Sequence, residues 1–253
     1  MLLTIDIGNT SISFGIFRGS RLIKTFRVGS HNVGANNYSP LHMLTKKIDA
    51  AIICSVVPKL TPVIAKAIKK ITGVSSLVVG KDIKLPIKNN YKDPKQVGQD
   101  RLVDAIAAKE LYGSPAIIVD SGTAITFDYI SKKGDYEGGI IVPGIDLSLK
   151  ALYENTALLP DVKLKDDKGL TLIGRDTVNS IKSGLLHGFG SLADGVINRI
   201  KARYGKNIKV IGTGGYIGFI KKYSALIDII DEFLTLNGLR IIYEKKPLTS
   251  SRL

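Results

Sequence analysis

Two carboxylates interrupt apolar stretches that otherwise read as buried strands. In residues 2–17, LLTIDIGNTSISFGIF, Asp6 is followed at once by Ile7-Gly8-Asn9-Thr10, and the apolar alternation then resumes at Ile12, Phe14 and Ile16. Residues 116–130, AIIVDSGTAITFDYI, repeat the design just under half a chain length later, with Asp120 for Asp6 and Gly122 for Gly8. Small residues after a strand let backbone N–H groups come close to an anion, because no Cβ stands in the way. Asn9, Thr10, Ser11 and Ser13 add side-chain donors. A carboxylate facing phosphates repels them unless a divalent cation lies between, and Mg²⁺ takes that place with one or two carboxylates plus substrate phosphates. The turns therefore point to nucleotide phosphates, with Asp6 anchoring or orienting the metal. A plain hairpin with a turn-stabilising Asp is the alternative, and the repetition weighs against it.

A third glycine turn, VIGTGGYIG at 210–218, lies between an apolar run and a helical pattern. It suits close approach to a nucleotide but is not a Rossmann GxGxxG, since Ile217 holds the last glycine position. No GxxxxGK[ST] occurs. Asp100 and Arg101 open the helical stretch VGQDRLVDAIAAKELYG, residues 97–113. A first-turn carboxylate is favoured by the helix dipole by about 0.3–1 kcal/mol, which is reason enough for its presence without chemistry. Arg101 can hold a carboxylate or phosphate bidentately, or serve as an ordinary surface cation.

Elements of α/β type surround these residues. Residues 49–58 and 76–80 read as strands, 59–72 as a helix, 176–205 as a long glycine-interrupted helical region, and 207–223 as strand, glycine turn and helix. The repeated hairpin implies an internal duplication, with halves at 1–113 and 114–253. The least structured segment is NNYKDPKQ at 89–96.

Composition narrows the class. The 253 residues are 44% hydrophobic and 23% charged, as in an ordinary soluble protein. The single Cys54 excludes an internal disulfide framework and fits a reducing cytoplasm. His31, His42 and His187 lie far apart without HExxH or CxxC, which speaks against zinc. The apolar start has neither a basic leader nor a cleavage site, and no run approaches the ~20 residues that cross a bilayer. The net charge of +14 comes in short scattered pairs such as Lys46-Lys47 and Lys69-Lys70, so solvated lysine faces are expected rather than a nucleic-acid groove.

Two Asp-Gly hairpins and a late Gly-Gly turn resemble the acetate kinase/sugar kinase/Hsp70/actin superfamily. DIGNTSISFGIF, CSVVPKL, VGQDR, DSGTAITFDYI, GGIIVPGIDLSLKALYENTALLP, IGRDTVNSIKSG and VIGTGGY stand in the order seen in type III pantothenate kinases and span about residues 2–240. The resemblance implies a duplicated ribonuclease-H-like (actin-like ATPase) fold, two α/β halves each with a mixed five-stranded sheet flanked by helices. It implies that Asp6, Ile7, Gly8, Asn9, Thr10, Ser11, Ile12 and Ser13 form the first phosphate loop and that Thr123 contacts ATP. It further implies Asp120 as ligand of a monovalent cation (K⁺ or NH₄⁺), and Gly98, Gln99, Asp100 and Arg101 as the pantothenate loop with Asp100 as proton acceptor. Tyr91 and Thr177 correspond to further substrate contacts, Thr177 from the neighbouring subunit of a homodimer. The chain departs from the usual pattern at Gln99, where Ala is common, at Asp104, where Asn is common, and at GGYI, where GGLA is more usual.

The expected activity is ATP-dependent phosphorylation of pantothenate at its primary hydroxyl, with Mg²⁺ and a monovalent cation, in a cytoplasmic homodimer without nucleic-acid or membrane partners. Two other readings remain: a non-catalytic regulator that uses the positive charge on nucleic acid, and a phosphohydrolase of the same superfamily.

Overall fold

In the computed structural model, residues 1–32, 47–164 and 169–246 are described; His42 and Lys46 fall outside them. The chain forms two compact units, one of Met1–Leu111 joined by the segment from Phe233, the other of Tyr112–Glu232.

The first unit carries β1 (Leu2–Ile7), β2 (Ser11–Arg18), β3 (Arg21–Gly29), β4 (Ala50–Ser55), α1 (Thr61–Thr72), β5 (Ser76–Val78) and α2 (Gln99–Tyr112). Its five-stranded sheet has the order β3-β2-β1-β4-β5, with β1–β2 and β2–β3 antiparallel and β1–β4 and β4–β5 parallel. Period-two alternation sends Leu3, Ile5 and Ile7 of β1 to one face with Ile12 and Phe14 of β2, where Ile64 and Ile68 of α1 cover them. The same alternation puts Asp6 on the opposite face. There Ile52 and Cys54 of β4 meet Val103 and Ile106 of α2 and Leu239 and Ile242 of a last helix, α6 (Leu234–Lys245). A Cβ on Gly238 would stand 2.6 Å from the Val103 carbonyl oxygen, so α2 and α6 cross backbone to backbone. The sequence reading missed α6 and gave it to the second half. Its buried Leu234, Leu236, Leu239 and Ile242 instead belong to the first unit, which supplies the apolar face they cover.

The second unit carries β6 (Ala116–Ser121), β7 (Ala124–Ile130), β8 (Tyr136–Pro143), α3 (Ile145–Glu154), α4 (Thr177–Tyr204), β9 (Lys209–Thr213), α5 (Ile217–Tyr223) and β10 (Ile229–Ile230). Its sheet runs β10-β9-β6-β7-β8, the first sheet's order with β6 for β1 and β9 for β4. Both sheets are mixed, as expected, and the duplication read from two hairpins extends through all five strands. Ile117, Val119, Ile125 and Phe127 pack against Ala193 and Ile197 of α4 and Ile217 and Ile220 of α5. The glycine-interrupted region at 176–205 is one helix of 28 residues, capped by Asp176, whose carboxylate accepts the Asn179 N–H at 2.8 Å.

Tyr112 and Asp231 tie the start of this unit to its end, the hydroxyl donating to Asp231 Oδ2 at 3.0 Å. Burial, then the Asp231 charge and hydrogen bond, push the Tyr112 hydroxyl up from 10 to about 12. The folded state thus favours the neutral phenol more than the unfolded state does. That stability is fully present below pH 10 and is lost as the pH rises through about 12. Tyr112→Phe is expected to cost about 1 kcal/mol at neutral pH. It should also flatten the alkaline loss of stability, as urea denaturation at pH 8, 10 and 12 would measure. Equal slopes in both proteins would contradict this.

Candidate active site

The first turn is built by β1, β2 and a neighbour that the sequence did not mark. The Gly8 N–H donates to the Ser11 carbonyl at 3.0 Å and closes the hairpin. Ser30, 6% exposed, donates its hydroxyl to the Gly8 carbonyl at 2.7 Å and its N–H to the Thr10 carbonyl at 3.0 Å, holding the turn from behind. Asn9 and Thr10 stay exposed, and Ser11 and Ser13 are partly buried. Ile7 and Ile12 have fully buried side chains, so they can offer a ligand only their backbone. Arg27, paired in register with Ser13 from β3, donates its Nε–H to Ser13 Oγ at 3.2 Å and brings a cation beside the turn. No motif signals Ser30 or Arg27; each acts through β3 or the residue that follows it.

Asp6 is paired in register with Ser13 on one side and Cys54 on the other. Across the same face of the sheet lies the start of α2. Burial raises the Cys54 thiol well above its ordinary value, and the charges of Asp6, Asp100 and Asp104 add to that, in this order. Three carboxylates more than ninety positions apart at the extremes therefore converge on one strand residue. Asp100 Oδ1 accepts the Arg101 N–H at 2.8 Å, and the carboxylate lies over Gly98, where a Cβ would collide with Oδ1. That close approach explains the glycine of VGQDR. Asp104, one turn further along α2, is 4% exposed, a buried neighbour of the Asp100 face. Tyr91 is half-buried in a turn where its N–H donates to Asn89 Oδ1 at 3.0 Å, just before a short 3₁₀ helix, Pro94–Gln96.

In the second unit three separated motifs meet at the second turn. The Gly122 N–H donates to the Ala124 carbonyl at 3.0 Å, the counterpart of the Gly8 bond. Gly144, the end of the GGIIVPG segment, donates its N–H to the Thr123 carbonyl at 3.1 Å. Behind Asp120 lies Gly214 with φ +91°, and a Cβ there would collide with Asp120 Oδ1 and with the Ser121 carbonyl at 2.6 Å. The Tyr216 N–H donates to the same Ser121 carbonyl at 3.2 Å. Asp120 is flanked in register by Thr126 of β7 and Thr213 of β9, and Thr123 is exposed at the tip. Thr177, exposed in the first turn of α4, also belongs to this unit, whereas Tyr91 and the Gly98–Arg101 loop belong to the first.

Tyr216, in the GGYI segment, adds a further contact. Its hydroxyl donates to the Asp146 carboxylate, and burial followed by that bond raises its pKa. It borders an open cavity of about 540 Å³ shared with Asp146, Lys150, Tyr153 and Lys163, which includes none of the residues expected to bind ATP, pantothenate or a cation. Among the described residues no three His, Cys, Asp or Glu side chains gather into a metal-holding group. Asp6 and Asp120 instead each stand with hydroxyl-bearing neighbours, a setting in which a cation completes its shell with ligand oxygens.

Comparison with known proteins adds four findings. A family model described as type III pantothenate kinase matches residues 2–199. A type III pantothenate kinase of Citrifermentans bemidjiense is 42% identical over 254 residues, covering 97% of this chain and 99% of the relative. Among solved structures, a conserved candidate Baf family transcriptional activator from Campylobacter jejuni superposes with a TM-score of 0.62 at 22% identity, over 96% of this chain and 97% of that one. The activator of 2-hydroxyisocaproyl-CoA dehydratase from Clostridium difficile, with bound ADPNP, superposes with a TM-score of 0.50 at 12% identity, over 98% and 99%. At these identities the two structures speak for the fold alone.

Proposed function

The chain belongs to the type III pantothenate kinase family, and on that premise we propose that it transfers the terminal phosphoryl group of ATP to the primary hydroxyl of pantothenate. The observation that carries the reading is that α2, which has Asp100 in its first turn, packs on the sheet face where Asp6 is the register partner of Cys54. A phosphate-binding carboxylate and an acceptor for the hydroxyl proton thus share one face of one sheet.

In this reading the backbone of Asp6–Ser13 and Thr123 hold the phosphates of ATP. Tyr91, Gly98, Gln99, Arg101 and Thr177 hold pantothenate, with the Arg101 guanidinium opposite its carboxylate. Asp100 accepts the hydroxyl proton as the new O–P bond forms and the bond to the β–γ bridging oxygen breaks, releasing ADP. Phosphoryl transfer has a loose transition state, so the base need only orient the alcohol and take its proton late. An ionised Asp does this without a tuned histidine. Mg²⁺ beside Asp6 and a monovalent cation beside Asp120 would neutralise charge on the phosphates.

The finer assignments are likewise proposals. The homodimer is supported by apolar side chains that the second unit leaves exposed, among them Ile141, Leu158, Leu172 and Ile173. A cytoplasmic location is supported by a free, buried Cys54. No described helix is long and apolar enough to cross a membrane.

Measuring ATP consumption with and without pantothenate, in potassium and in sodium buffer, tests the proposal. Pantothenate-dependent ADP release that requires potassium is the expected result. ATP hydrolysis indifferent to pantothenate would replace the kinase with a phosphohydrolase. No turnover, together with salt-sensitive binding of duplex DNA, would replace it with the regulator.

A further inference from the structure

Of the polar residues in the DSGTAITFD segment that the proposed chemistry leaves unused, two are Thr126 and Asp128. Both lie on the sheet face that carries Asp120, because Thr126 is the register partner of Asp120 and Asp128 follows two positions on. Asp128 is 2% exposed, and its two oxygens accept different hydroxyls. Thr126 donates to Oδ2 at 2.9 Å, and Tyr136 of β8, fully buried, donates to Oδ1 at 2.6 Å. A buried carboxylate is costly unless its lone pairs are satisfied, and the tyrosine and threonine hydroxyls help Asp128 to sit here.

The consequence lies in the direction of one proton. A threonine hydroxyl has a single hydrogen to donate and two lone pairs. With that hydrogen committed to Asp128, the Thr126 oxygen can act towards its other neighbours only as an acceptor. Its cross-strand neighbour is Asp120, whose carboxylate is also an acceptor, and directly paired side chains have Cβ atoms about 4.5–5.5 Å apart. Two oxygens that present only lone pairs to each other repel unless a cation joins them. On the other flank Gly214 lies close to one oxygen of the Asp120 carboxylate, where an added methyl would collide with it.

We infer that Tyr136, Asp128 and Thr126 form a positioning relay that makes the Thr126 hydroxyl oxygen a second donor, with Asp120, for a monovalent cation. Asp128 is the positioning residue and acts through Thr126; Tyr136 locks Asp128. The inference rests on the reading of Asp120 as a cation ligand and adds the device that orients its neighbour. The buried Asp and Tyr of this hairpin then serve the site rather than the core alone.

Thermal melting with ADP at fixed concentration tests it, KCl being titrated against choline chloride at constant ionic strength. The wild-type melting temperature should rise with potassium. Thr126→Val, which keeps shape and removes the oxygen, should need about tenfold more KCl for half of that rise, or lose it. Thr126→Ser should restore it. Asp128→Ala removes the acceptor, frees the Thr126 hydrogen to turn towards Asp120 and should behave like Thr126→Val. Each protein is compared only with itself across the titration, so a lower baseline for Asp128→Ala does not blur the result. The potassium activation constant of turnover should move in parallel, with KM for pantothenate unchanged. An unaltered titration in Thr126→Val overturns the relay and leaves the kinase reading standing. A wild-type protein with no potassium-dependent rise removes the cation at Asp120, and the relay with it.

Discussion

Asp100→Asn is expected to lower kcat by about 10²–10⁴ and kcat/KM by the same factor, leaving KM for pantothenate near its original value. The amide keeps the shape of the carboxylate and an oxygen for the Arg101 N–H, which Asp100 Oδ1 now accepts at 2.8 Å. What it cannot do is take a proton from the alcohol. An effect confined to the transition state follows. Stability should change little, because two small terms oppose each other. The helix loses a favourable first-turn charge, about 0.3–1 kcal/mol. The cluster around Cys54 loses one of three like charges, which relieves repulsion among Asp6, Asp100 and Asp104. Steady-state kinetics with a melting curve read both quantities. Turnover within threefold of wild type would remove Asp100 from the chemistry.

The second large effect is expected at a residue without functional groups. Gly214→Ala should destabilise the second unit by roughly 3 kcal/mol, the sum of a left-handed backbone and an overpacked contact. Its φ of +91° suits glycine, and the added methyl would collide with Asp120 Oδ1 and the Ser121 carbonyl. The carboxylate must move or the turn must open, so the variant should lose potassium-dependent activity well below its own melting temperature. Gly215→Ala is the control, since the neighbouring glycine is exposed and has no positive φ. Urea denaturation and potassium-activation curves for the two variants would separate a local effect on Asp120 from a general sensitivity of the loop. Equal behaviour of both would refute the role given to Gly214.

Residue by residue, the legible part of this protein was what depends on neighbours along the chain. Apolar alternation around Asp6 and Asp120 announced two strand–turn–strand hairpins, and the structure has them at β1–β2 and β6–β7. Helical spacing announced α1, α2 and α4, and the motif order announced the family. Strands β3, β8 and β10 and helices α3 and α6 were not seen. In β3, RLIKTFRVG, five of nine residues are partly buried rather than buried or exposed in clean alternation, so the periodic signal is weak. The last helix, α6, is amphipathic, but which sheet it covers depends on which one has an open apolar face.

The sequence by itself determined the two acidic turns, the glycines that permit them and the family to which the chain belongs, because each rests on local backbone preference and a fixed motif order. Only the tertiary structure decided which of those residues are neighbours. It brought α2 across the Asp6 face so that Asp100 and Asp104 stand near Cys54, folded Gly144 and Gly214 onto the second turn, and set Thr126 and Asp128 beside Asp120. Strand register and helix docking make those choices, and both are settled by burying apolar faces far apart in the chain, which no short window of sequence records.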